Sequence, residues 1–111
     1  MLLLLIITTR GRLLRMGYKF DGYNWFGVVE KGDELVQSLV DFAKKENIKG
    51  GWIFVVGACD QLEAGYYDLK TKNYEFKNYS QDLEILNVQG NISWSEGEPV
   101  VHLHGTFAGG S

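Results

Sequence analysis

Residues 84–104 read EILNVQGNISWSEGEPVVHLH and predict two strands joined by a short turn. The second strand ends in a His-x-His pair, His102 and His104. Since side chains alternate between the two faces of a strand, both histidines point the same way, about 6–7 Å apart along the backbone. Two imidazoles on one side can hold a metal ion or titrate together. This pair is therefore the first candidate for a functional site.

The composition is that of one globular domain. The chain has 111 residues, of which 45% are hydrophobic and 23% charged, with a formal net charge of −3. An acidic balance gives no general attraction to phosphate backbones, so direct nucleic-acid binding would need a local basic patch. The single cysteine, Cys59, excludes an intrachain disulfide and suits a reducing compartment, so we expect a cytoplasmic protein.

The first 15 residues leave two interpretations open. Residues 2–7 form an apolar run far shorter than the roughly 20 residues that span a bilayer, so no membrane partner is expected. The run also lacks the flanking features of a secretory signal. Residues 1–15 are either a leader ahead of a domain at residues 16–111, or they contain a genuine edge strand at residues 3–9, because Ile and Thr favour strands.

One amphipathic helix is predicted after Gly32. Asp33 suits the N-cap, because its carboxylate can accept hydrogen bonds from the unpaired N–H groups of the first helical turn. The residues spaced along one buried helix face are Leu35, Leu39, Phe42 and Ala43. Asn47 is the predicted terminator of this helix.

The remainder of the chain predicts strands almost throughout. Residues 52–58 (WIFVVGA) are continuously apolar, as in a strand buried on both faces. A polar connection at residues 68–73 predicts a hairpin loop. The further predicted strands are residues 62–67, 74–79, 83–94 (with a bend at Gly90) and 100–107.

Four segments in this order resemble the PPC (plant and prokaryote conserved) domain: residues 32–51, 57–74, 83–93 and 96–104. The resemblance implies an α+β fold, a mostly antiparallel β-sheet packed with one main α-helix. In plants, PPC domains follow AT-hooks in DNA-associated nuclear proteins and mediate self-assembly and partner binding. Prokaryotic members usually stand alone and are similar to compact homotrimers.

The same fold resembles that of acetolactate decarboxylase, a zinc enzyme whose metal is held by a His-x-His strand and a later histidine. The resemblance thus implies zinc as a possible cofactor at His102 and His104. Family members continue to a Gly-Gly-His element, whereas Gly110 is followed here by Ser111, which implies a C-terminally shortened member. Because zinc sites use three or four protein ligands, a third is missing. Cys59 and Glu98 are the nearest candidates by chemistry.

Two function hypotheses follow. The first is a non-catalytic homo-oligomeric PPC-type module, a homotrimer by the family resemblance, that is regulatory or associates with DNA through a partner. The second is a zinc-dependent or small-molecule site built on His102 and His104. The lack of a complete catalytic set favours a non-catalytic protein over an enzyme. Tyr66 and Tyr67 are adjacent on a predicted strand and face opposite sides, so we expect one core role and one interface role.

Overall fold

The computed structural model describes residues 2–9 and 16–109, which form eight strands and one helix. In chain order these are β1 (Leu2–Thr9), β2 (Gly17–Phe20), β3 (Asn24–Val29), α1 (Leu35–Lys45), β4 (Gly51–Cys59), β5 (Leu62–Asp68), β6 (Asn73–Tyr79), β7 (Leu83–Ser95) and β8 (Glu98–Gly109).

Six of the strands form one sheet in the order β2-β3-β1-β4-β7-β8, while β5 and β6 form a separate two-stranded sheet. β1 is parallel to β3 and to β4, and the other pairs are antiparallel. The predicted α+β fold, mostly antiparallel with one helix, is confirmed.

β1 corrects one interpretation of the N-terminal segment. The strand lies between β3 and β4, inside the sheet, so the expectation of an edge strand at residues 3–9 is wrong about its position. β1 pairs with β3 along one edge and with β4 along the other. The leader boundary at residue 15 stays a prediction, and residues 10–15 lie outside the described residues.

The helix begins one residue later than predicted. Glu34, not Asp33, is the N-cap: its backbone is extended and its carboxylate accepts hydrogen bonds from the N–H groups of Val36 and Gln37. Asp33 is buried instead, with 1% of its surface exposed. The longer side chain of Glu34 reaches the N–H groups of the first helical turn, as a shorter capping side chain would. The sequence rule favours short side chains at the N-cap, so it did not predict a glutamate there.

The helix ends where the sequence predicted. Asn47 has the left-handed backbone (φ 54°) that commonly follows the last turn. The N–H of Ile48 then donates to the carbonyl of Ala43 at 2.9 Å, and the N–H of Asn47 donates to that of Lys44 at 3.3 Å. These two bonds satisfy carbonyls that the helix itself leaves unpaired.

The core lies between α1 and one face of the six-stranded sheet. From the helix, Leu39 and Phe42 are buried against Ile53 and Val55 of β4. Phe42 also meets the rings of Tyr18 and Trp25 edge-on, with ring centres 4.9 and 5.2 Å away. The remaining buried core residues are Met16, Val29, Ala43, Ile48, Ile85, Val88 and Ile92.

The irregularity in β7 lies at Leu86 and not at Gly90. Pairing with both β4 and β8 shifts register there, so Leu86 is the extra residue of a β-bulge. Gly90 pairs regularly with Ile53 and Leu103. Its role is close approach: a Cβ at this position would collide with the backbone of His102, and the Cα of Leu103 would be only 2.9 Å away.

Gly90→Ala should therefore destabilise the protein, because β8 would have to move away from β7. We expect a loss of about 3 kcal/mol in the free energy of unfolding, the upper part of the range for overpacking. Urea denaturation followed by circular dichroism measures it. Gly17→Ala is the matched control, since a Cβ there meets nothing within 4 Å. Equal stability of the two variants would contradict the close approach.

Stability should also fall at high pH through Tyr18. Its hydroxyl donates to Glu46 Oε1 at 2.6 Å, and this bond, with a smaller contribution from desolvation, raises the pKa of Tyr18 from 10.0 to about 12. Because the protonated phenol is favoured in the folded state, its stabilisation is complete below pH 10 and is lost as the pH rises from 10 through 12.

Urea denaturation at pH 9 and pH 11.5 tests this, with Tyr18→Phe as the comparison. The free energy of unfolding of the unsubstituted protein should fall more over this interval than that of Tyr18→Phe, which has no phenol at position 18. Parallel decreases in the two proteins would contradict the assigned role of the Tyr18–Glu46 hydrogen bond.

Candidate functional site

The sheet face opposite α1 is apolar and exposed. The prediction that residues 52–58 are buried on both faces is wrong, because alternate residues of β4 have different surroundings. Ile53 and Val55 face the core, whereas Trp52, with 63% of its surface exposed, lies on the other side together with Phe54 and Val56. A single helix covers one face of the sheet, and the described part of the chain supplies nothing to cover the other.

Two residues of β3 extend this exposed surface. Phe26 and Phe54 both pair in register with Leu4 of β1, so they share a side of the sheet. Val28 and Val56 are related in the same way through Ile6. We call this surface the outer face and define it by the exposed side chains Phe26, Val28, Trp52, Phe54 and Val56.

The two histidines lie on the polar continuation of this side. In β8, His102 pairs with Asn91 of β7 and His104 pairs with Gln89. Gln89 in turn pairs with Phe54 of β4, which places the histidines on the same side of the sheet as the outer face. Both imidazoles are exposed, while the alternating residues of β8 pack towards the core. The structure therefore places His102 and His104 on the same side of β8, as the sequence predicted.

The imidazoles of His102 and His104 touch. Their Nε2 atoms are 2.9 Å apart and their ring centres 4.8 Å apart, with the planes at 67°. A hydrogen bond at this distance requires a proton on one Nε2 and a bare Nε2 on the other ring. The pair therefore brings two nitrogens of a type that can ligate a metal close together.

A full ligand set is not present among residues 2–9 and 16–109: no three His, Cys, Asp or Glu side chains there are grouped to hold a metal ion. Of the two suggested third ligands, Glu98 forms an ion pair with Lys44 at 2.8 Å. Cys59 is partly buried, and burial, with the nearby charge of Asp60, raises the pKa of its thiol. A protonated thiol is a poor ligand until a metal displaces its proton.

Some of these residues line one cavity, which has a volume of about 670 Å³. It lies between the start of α1, the β4–β5 connection and β8, and His102, His104 and Cys59 all contribute to its wall. Leu35 and Phe107 line its apolar part, and Glu63 adds a carboxylate. The size is within the range of small-molecule sites. The sequence had no pattern that predicted this cavity, because its walls come from three distant parts of the chain.

Tyr66 and Tyr67 lie on the β5–β6 hairpin, which the sequence predicted correctly. Neither belongs to the core, contrary to the expectation for one of them, since 48% and 45% of their surfaces are exposed. The Tyr66 hydroxyl donates to Glu75 Oε2 at 2.8 Å, which raises the pKa of this phenol. Tyr67 packs edge-on against Tyr74, with ring centres 5.3 Å apart. Their assignment to an interface stays a prediction.

Among the described residues, no helix has the length and apolar character needed to cross a membrane.

The chain belongs to the Plants and Prokaryotes Conserved (PCC) domain family, whose model matches residues 16–111. The match confirms the resemblance to the PPC domain that four segments of the sequence indicated. A comparison with curated proteins gave no match.

Solved structures of similar proteins agree with this assignment. A candidate DNA-binding protein from Bacteroides thetaiotaomicron is 33% identical, with a TM-score of 0.79 over 83% of this chain and 64% of that one. A metal-containing protein from Archaeoglobus fulgidus is 33% identical, with a TM-score of 0.63 over 66% of this chain and 52% of that one. A plant- and prokaryote-conserved (PPC) protein from Pyrococcus horikoshii is 28% identical, with a TM-score of 0.67 over 87% of this chain and 60% of that one. The chain therefore spans less than two thirds of the length of these relatives.

Proposed function

We propose that the protein is a non-catalytic homo-oligomeric module, a homotrimer, that acts in regulation or associates with DNA through partner proteins. The outer face is the observation that carries this proposal. Phe26, Trp52 and Phe54 are large aromatic side chains that stay open to water on one side of a sheet. Aromatic residues in a continuous exposed patch are typical of the centre of a protein–protein interface.

The charge of the chain favours an indirect association with DNA. With a formal net charge of −3, the protein is repelled by phosphate backbones unless positive charge is concentrated locally. The Bacteroides thetaiotaomicron relative is described as a candidate DNA-binding protein, which supports a role near DNA. A partner that binds the oligomer and DNA together reconciles the two observations. The single cysteine supports a cytoplasmic location.

Light scattering coupled to gel filtration tests the assembly. The unsubstituted protein should contain about three chains per particle at micromolar concentration. Trp52→Glu places a charge on the outer face and should convert the particle to monomers, because burying an unpaired carboxylate is costly. Tyr23→Glu is the matched control: Tyr23 is also exposed (84%) but lies in the β2–β3 turn, so the trimer should persist. A monomeric unsubstituted protein, or a trimeric Trp52→Glu, would contradict the proposal.

A second candidate function is a metal or small-molecule site on His102 and His104. The converging Nε2 atoms favour it, and the Archaeoglobus fulgidus relative is described as metal-containing. Two nitrogens bound to one tetrahedral zinc ion are about 3.3 Å apart, from Zn–N distances of about 2.05 Å. The observed 2.9 Å is therefore a few tenths of an ångström from a ligating arrangement, provided that both rings carry their protons on Nδ1. Zinc would supply Lewis-acid chemistry there.

Elemental analysis of the purified protein after growth with added zinc tests this candidate. One zinc ion per site is expected, and its loss is expected in the double variant His102→Ala, His104→Ala, with the oligomer size unchanged. Thr106→Ala, further along the same strand, should keep the metal. The absence of zinc from the unsubstituted protein, or its retention in the double variant, would rule out this site.

A further inference from the structure

The β5–β6 hairpin, which we call the ribbon, has little support within its own chain. It forms a two-stranded sheet separate from the main one, and every residue of β6 is exposed. Two-stranded ribbons alone are marginally stable in water and normally need a third strand or a packing surface. The ribbon is thus expected to be held by a surface that the described part of this chain does not provide.

The two faces of the ribbon differ in chemistry. On one face, the Tyr66 hydroxyl donates to the charged carboxylate of Glu75. On the other face, Tyr67 and Tyr74 are directly paired across the strands, and Phe76 follows Tyr74 with the two rings stacked 6.4 Å apart. We call Tyr67, Tyr74 and Phe76 the aromatic strip.

The aromatic strip depends on a glycine. Phe76 pairs with Gly65 of β5, and its ring lies over that residue. A Cβ at position 65 would be 2.7 Å from a ring carbon of Phe76, closer than atoms can approach. The glycine therefore leaves room for the ring to lie across the ribbon. The result is a row of three aromatic side chains, Tyr67, Tyr74 and Phe76, with exposed fractions of 45%, 62% and 63%.

A closed ring of three identical chains requires two different surfaces on each chain, one that meets the preceding copy and one that meets the next. Within the described residues, the outer face and the aromatic strip are two exposed apolar surfaces that lie on separate sheets. On the proposed function of a homotrimer, we infer that the aromatic strip of one copy packs on the outer face of its neighbour. The occupant of the outer face is thus the ribbon of a second copy.

The areas fit such a contact. With about 200 Å² for an aromatic side chain, the strip offers roughly 350 Å² of exposed apolar surface. The exposed fractions of the five outer-face side chains give roughly 400 Å² of exposed apolar surface in the same way. Interfaces are about 60% apolar, so the two surfaces together correspond to an interface of roughly 1,250 Å². This is at the lower end of the range for stable specific interfaces, about 1,200–2,000 Å².

Site-specific photocrosslinking in the full-length chain tests the contact. A benzophenone amino acid replaces Tyr74 in one sample and Tyr66, on the opposite face of the ribbon, in the other. After irradiation, the Tyr74 sample should give a two-chain product on a denaturing gel. Peptide mass spectrometry should locate its crosslink on β3 or β4 of the second chain, at the outer face. The Tyr66 sample should give little of this product.

Light scattering on the same samples separates this inference from the proposed function. If the protein is a trimer but the Tyr74 crosslinks join two ribbons, or do not join two chains at all, the inference is wrong and the proposed homotrimer is unaffected. A monomeric protein would overturn both.

The dissociation of the oligomer on dilution is a second measurement. The double variant Tyr74→Ser, Phe76→Ser should raise the protein concentration at which half of the oligomer has dissociated at least about tenfold, whereas Tyr66→Phe should leave this concentration unchanged. Equal dissociation of the two variants would also overturn the inference.

Discussion

The structure depends on the unequal cover of the two sheet faces: among the described residues, one helix packs on one face and no element packs on the other. Six strands spaced about 4.8 Å apart make a sheet roughly 24 Å wide, and an 11-residue helix is about 16 Å long. Leu39 and Phe42 fill the core on the side of α1. On the other side, no element of the described residues covers Trp52 and Phe54, which remain in contact with water. This exposed apolar surface is the observation on which the proposal of an assembly rests.

The β7–β8 pair fixes the position of the histidines in the same arrangement. Val101 and Leu103 pack towards the core, so the alternation of the strand directs His102 and His104 to the opposite side. Gly90 lets the two strands approach closely beside them. A shift of one residue in register would place imidazoles in the core, which is costly, so the core holds the pair in place. The candidate site and the candidate interface therefore share one side of the sheet.

Short-range sequence patterns predicted the helices and strands better than they predicted what packs against each of them. The helix, the β5–β6 hairpin and the β7–β8 pair each follow from short-range patterns, and the predicted end of the helix at Asn47 is correct. The N-cap was misplaced by one residue, because Asp33 and Glu34 offer the same carboxylate and only the backbone distinguishes them. The bend expected at Gly90 lies at Leu86, since a bulge has no required residue type and a glycine has other uses.

The sequence by itself determined the α+β fold and the family, because the order of four segments matches that of the PPC domain. It also determined that the two histidines share a side, because side chains alternate along a strand. Only the tertiary structure decided that β1 is an interior strand, that Trp52 is exposed and that the imidazoles of His102 and His104 touch. An apolar run such as residues 52–58 is the same whether its second face meets a helix of its own chain or another molecule. The number of layers around a sheet is a property of packing, which no local pattern encodes.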